Sequence, residues 1–281
     1  MIEKRIFAAM LAVLVLATSA GFAEEPKELT VFTAASLTGA FTEMGQMFEK
    51  ETNISVTFNF DGSQVLRTQI ENGAYADVFA SANTKHMNAL KKEGLMNNSS
   101  ISVFTRNKLS LIIPKDNPAK ISNLSDLAKP GIKIVIGTKD VPVGDYAMQI
   151  INKMGNDSAY GPNYKTKVLA NIISRETNVN YVVTKVALGE ADAGFAYVSD
   201  VTEDLAAKVD KIDIPDEYNV IAEYPMGLLK ECKYPVEAEE FMNLVKSEEG
   251  KAILVKYGFA PVESAVPAKA AANATTVKAT A

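Results

Sequence analysis

The feature that most constrains this 281-residue chain is an alternation of short β-rich runs with helical apolar stripes, carried through two successive blocks. Leu29–Thr33 is β-rich, and Leu37, Ala40, Phe41, Met44, Met47 and Phe48 then recur at helical spacing. Ile54–Phe60 alternates as a strand does, and Val65, Leu66 and Ile70 stripe a helix stopped at Asn72-Gly73. Asp77–Ala80 reads as a strand, a helix through Met87 and Leu90 ends at Gly94, and Leu109–Ile113 is a strand closed by Pro114. The second block has strands at Lys133–Ile136 and Ala193–Tyr197. One helix runs through Tyr146, Ile150, Ile151 and Met154, and another through Val182, Val183 and Val186 to Gly189. Met226–Leu229 and helices over 235–246 and 248–257 have no partner block.

Short βα units require a mainly parallel sheet with helices on its faces, so the expected class is α/β with two domains. The chain is expected to leave domain one near Pro114 and return near Tyr224-Pro225. Domain one is then 27–113 plus 225–262 and domain two 114–224, with a cleft and a two-strand hinge between them. Residues 1–23 read as an export signal: Lys4-Arg5, an apolar run from Ile6 to Ala17, and Gly21-Phe22-Ala23 as the cleavage site. The mature protein is therefore expected to be exported, periplasmic or on the cell surface. The sequence leaves open whether the segment is cleaved or stays as an anchor. Residues 263–281, rich in Ala, Thr, Val and Lys, read as a disordered tail. Six Asn-x-Ser/Thr tripeptides, at Asn53, Asn97, Asn98, Asn123, Asn156 and Asn273, are glycan acceptors or chance occurrences.

Composition removes several functions. A formal charge of −5 argues against nucleic-acid partners. One cysteine, Cys232, makes no internal disulfide, and one histidine, His86, leaves little for zinc or a His-dependent triad. His86 reads as a surface side chain and Cys232 as a small apolar one.

In open α/β sheets, ligands bind where strands end and helices begin. Four such loops stand out: 30–41 with Ser36, 58–70 with Ser63, 137–147 with Val143, and 174–183 with Val179. Each helix entry offers unpaired N–H groups and a partial positive charge, so four converging would hold a dianion without a cation. The hydroxyls of Ser36, Ser63 and Tyr197 add donors. None of these groups titrates near pH 7, so affinity is expected to vary little there. Taken singly, each has a plainer reading: the serines as helix caps, the valines as any helix start, Tyr197 as a half-buried packing residue.

The motifs AASLTGAF, DGSQVLRTQIENGAYADVFASA, GTKDVPVGDYA and AGFAYVSDV occur in that order. Over about 29–262 the chain resembles the periplasmic molybdate-binding protein family (ModA type), the solute receptors of molybdate ABC importers. The resemblance implies a type II periplasmic-binding-protein fold. It implies an oxyanion ligand, molybdate or tungstate, held by Ser36, Ser63, Val143, Val179 and Tyr197. It further implies an ABC permease as partner, no cofactor, no catalysis and a monomer. Two departures bear on the site: Asp61 precedes Gly62-Ser63 where relatives often carry serines, and Asp145 follows the Pro-x-Gly turn. The acidic ligand positions of an archaeal tungstate/molybdate branch align with Val141 and Ala196 here. Two alternatives remain at this level. One is a receptor for another oxyanion or a small organic acid, for which Arg67 and Arg175 are the candidate clamps. The other is an exported hydrolase, which lacks a G-x-S-x-G elbow or a Ser-x-x-Lys motif.

Overall fold

The computed structural model describes residues 27–262. The export segment and the tail lie outside the described residues. Two mixed sheets form the cores of two lobes. The first sheet has the order β11–β4–β10–β3–β1–β2, with β1 Glu28–Ala34, β2 Ser55–Asp61, β3 Val78–Ala80, β4 Ser102–Asn107, β10 Ala222–Leu228 and β11 Ala260–Pro261. The second has the order β7–β6–β8–β5–β9, with β5 Leu109–Pro114, β6 Ile134–Gly137, β7 Ile172–Glu176, β8 Ala193–Tyr197 and β9 Val209–Asp213.

Parallel pairs carry the βα units: β1 with β2 and β3, and β6 with β7 and β8. Antiparallel pairing enters through β10 and β5, the strands on which the chain arrives in each lobe. Helix α1 (Thr38–Thr52) follows β1 and buries Ala40, Phe41, Met44 and Phe48 before Asn53 stops it in a left-handed conformation. The remaining helices are α2 (Ser63–Glu71), α3 (Thr84–Lys92), α4 (Pro142–Gly155), α5 (Tyr164–Ala170), α6 (Val179–Ala187), α7 (Glu203–Ala206), α8 (Pro235–Lys246) and α9 (Glu248–Lys256). Although late in the chain, α8 belongs to the first lobe. Its Phe241 meets Phe41 and Phe48 edge-on at 6.0 and 5.5 Å, contacts worth more than their buried area alone.

The crossing differs from the expected one. Leu109–Pro114 pairs with β8 and β9, so the chain passes between sheets at Lys108 and not at Pro114. The return falls after Asp213 and before Ala222, ahead of Tyr224-Pro225. Proline ends a strand by withholding an N–H, but it does not say which sheet that strand joined. Strands β4, β7 and β9 were not expected from the sequence. In β7 and β9 more and less exposed positions alternate, and each strand carries three polar residues, so neither reads as an apolar run.

Candidate functional site

Helix entries from both lobes converge on one small cavity. The first lobe supplies Ala34, Ala35, Ser36, Asp61, Gly62, Ser63 and Ala82; the second supplies Val141, Pro142, Val143, Val179 and Tyr197. All five site residues expected from the sequence therefore line the same cavity. Ala82 was missed, because nothing in its own type marks a backbone donor. Asp61 is the one lining residue that carries a charge, and no lysine, arginine or histidine lines the cavity.

The reading of the serines as helix caps does not hold. Ser36 sits inside a 3₁₀ turn, Ala35–Leu37, and its Oγ lies 3.0 Å from Tyr224 Oη. Ser63 is the first residue of α2, and the cap position is Gly62. Its Oγ accepts the Ala82 N–H at 3.0 Å, which leaves the hydroxyl proton to donate elsewhere. No side-chain cap closes α1, α2 or α4, so their first N–H groups keep their capacity to donate. Pro142 at the first position of α4 has no N–H, and Val143 and Gly144 come next. Gly144 is required there: a Cβ would stand 2.1 Å from Thr138 O. In α6, Asn178 Oδ1 takes the Tyr181 N–H at 3.2 Å.

Tyr197 is buried throughout, at 1% exposure, and not half-buried. Its hydroxyl makes no hydrogen bond of good geometry, and the Tyr224 phenol is the polar group beside it. Burial holds the Tyr197 and Tyr224 phenols far above their usual range, so both stay neutral donors. Tyr146, Tyr197, Tyr224 and Phe259 pack edge-on in succession, at 6.5, 5.8 and 5.4 Å, and cross from the second lobe to the first behind the cavity. Asp145 turns along its own helix, accepting from Gln149 Nε2 at 3.1 Å, and does not line the cavity. Asp200, beneath β8, accepts the Tyr197 N–H at 2.7 Å; burial pushes its carboxyl up to about 7.

His86 also departs from expectation. It is 1% exposed, and its Nε2 lies 2.9 Å from Asp140 O in the other lobe. A carbonyl can only accept, so Nε2 carries the proton. Cys232 is half-buried and polar in its role, its thiol donating to Asp77 Oδ1 at 3.3 Å. Among the described residues no group of His, Cys, Asp or Glu could hold a metal ion, and no helix is long and apolar enough to cross a membrane.

Two lobes on mixed α/β sheets, with one cavity lined from both, define a solute-binding protein. Residues 29–260 match the family model of bacterial extracellular solute-binding proteins, and the chain belongs to that family. Within it the chain is of the ModA type. It is 35% identical over 242 residues to the molybdate-binding protein ModA of Mycobacterium bovis, covering 86% of this chain and 87% of that one. Among solved structures it matches the substrate binding domain of a putative molybdenum ABC transporter from Clostridium difficile (30% identity, TM-score 0.63, 84% and 99% covered). The periplasmic molybdate-binding protein of Azotobacter vinelandii shares the fold at 24% identity (TM-score 0.73, 84% and 100% covered).

Proposed function

We propose that this protein captures molybdate, and tungstate as well, in the cavity between its lobes and hands it to an ABC permease without catalysing a reaction. The observation that carries the reading is the buried Tyr197 hydroxyl, without a well-formed hydrogen bond, in a cavity that the uncapped entries of α2 and α4 also line. A buried donor left without a good bond costs roughly 1–3 kcal/mol, which an oxyanion would relieve. Ser36, Ser63 and Tyr197 would donate hydroxyls, and Val143 and Val179 backbone N–H groups; the protein would contribute no cation. The names of the relatives support the choice of ion.

Selection would be geometric. Molybdate and tungstate are nearly the same size, whereas sulfate is smaller and would leave the donors too distant. Val141 and Ala196 supply no carboxylate to the metal, in keeping with recognition through oxygen alone. We take the lobes as the two domains, moving about Lys108 and residues 214–221, with the protein working as an exported monomer.

A thermal-shift assay with molybdate, tungstate, sulfate and phosphate tests this. Ligand at 1,000 times its Kd stabilises the fold by about 4 kcal/mol. Shifts with the first two and not with sulfate are expected; no shift with either metal oxyanion overturns the reading.

A further inference from the structure

Among the described residues, three hydrogen bonds cross from lobe to lobe at the rim of the cavity, apart from the proposed ion contacts. Asn178 Nδ2 donates to Asp61 Oδ1 at 3.0 Å, Gln64 Nε2 donates to Thr177 O at 2.6 Å, and His86 Nε2 donates to Asp140 O at 2.9 Å. Two of them tie the Ser63 segment to the Val179 segment, and the third ties α3 to the loop that leads into Val143. Asp61 and Gln64 flank Ser63, Thr177 and Asn178 precede Val179, and Asp140 precedes Val143. Two of the acceptors are backbone carbonyls of helix-entry loops, so these bonds fix where the next N–H groups are presented.

The partners are held in place from their own side. Asp61 Oδ1 also accepts the Gly62 N–H at 2.7 Å, and Asn178 is oriented by its capping bond to Tyr181 N. Gly62 faces Thr177 so closely that a Cβ would stand 2.4 Å from its carbonyl oxygen. Burial lowers the pKa of the His86 imidazole, and Arg67 and Lys85 add to that while Asp140 opposes it.

We infer that Asp61, Gln64 and His86 are positioning residues for ion capture: they lock the second lobe's entry loops against the first lobe at one spacing. The inference rests on the proposed function for its ligand and on the three interlobe bonds for its mechanism. Encounter precedes closure, so the latch acts on release more than on arrival. It also gives Asp61, a carboxylate beside a dianion site, a reason to be there.

The test is the dissociation rate of radiolabelled molybdate, chased with unlabelled ion. Gln64→Ala and Asp61→Ala are expected to release it roughly five- to tenfold faster, with association within about twofold of the parent. Asp61→Asn keeps an acceptor for Asn178 and is expected to release it more slowly than Asp61→Ala. Unchanged release in Gln64→Ala and Asp61→Ala overturns the inference. So does slower release in both Asp61 variants, the mark of simple charge repulsion. If the parent protein binds neither molybdate nor tungstate, the functional reading fails, but the latch is still decided by small-angle scattering of the free protein. Asn178→Asp keeps the helix cap and sets a second carboxylate against Asp61. It expands the molecule if the latch holds the lobes together, and an unchanged radius of gyration refutes the latch.

Discussion

The lobes meet at two places, the hinge and the rim of the cavity, and hydrogen bonds serve different ends at each. At the hinge, buried Asn219 accepts the Leu109 N–H at 3.2 Å and donates to Leu109 O at 2.8 Å, while Asn107 Nδ2 donates to Ser199 Oγ at 2.8 Å. Leu109, Asn107, Ser199 and Asn219 are all buried. At the rim, the carbonyls that take the latch bonds belong to exposed Thr177 and Asp140. A rim bond that opens is replaced by water, so each contributes about 0.5–1.5 kcal/mol, whereas a hinge bond that is lost strands its partner. The same chemistry therefore makes a permanent joint on one side and a reversible closure on the other.

The largest effect is expected at the hinge. Asn219→Leu leaves the Leu109 N–H and C=O buried without partners and should cost about 2–4 kcal/mol in urea denaturation, with the fold otherwise retained. A loss below about 0.5 kcal/mol would erase the distinction between hinge and rim.

Asp200 sharpens the comparison through pH. Its carboxyl titrates at about 7 in the fold and at about 4 in an unfolded chain. Between these limits the native state binds more protons than the unfolded one, so stability falls as pH rises through that window. Asp200→Asn keeps an acceptor for the Tyr197 N–H and removes the buried charge. It should be more stable than the parent at pH 8, on the order of 1–3 kcal/mol, with the advantage shrinking toward pH 4. Denaturation at both pH values checks the sign.

Tyr197→Phe should weaken molybdate by roughly 1–3 kcal/mol in calorimetric titration while changing the free protein's stability little, because its hydroxyl has no well-formed bond to lose. Ser63→Ala should differ, losing affinity and also about 1 kcal/mol of stability with the Ala82 bond. The smallest effect belongs to the exposed Lys85–Asp140 pair at 3.9 Å, where Lys85→Ala should move release and stability by less than about 0.5 kcal/mol.

Much of the site was legible because its signals are local. Ser36, Ser63, Val143, Val179 and Tyr197 lie where strands give way to helices or end, and periodicity finds those places. Ala82 contributes backbone alone and leaves no mark. His86 read as a surface residue because α3 is polar along most of its length, and the lobe that covers it is remote in sequence. The crossing at Lys108 was hidden for a related reason. Ser102–Asn107 and Leu109–Pro114 form one nearly continuous extended run, and only their hydrogen-bond partners assign them to different sheets.

The sequence by itself determined the alternation of strand and helix in two blocks, the residues at the helix entries, and the shortage of parts for zinc or triad chemistry, since each follows from local periodicity or composition. Only the tertiary structure decided that the four entries share one cavity, that Tyr197 keeps a hydroxyl without a well-formed bond, and that Asp61, Gln64 and His86 bond across the rim. Those facts depend on how two lobes face each other, and that orientation is set by packing between segments far apart in the chain.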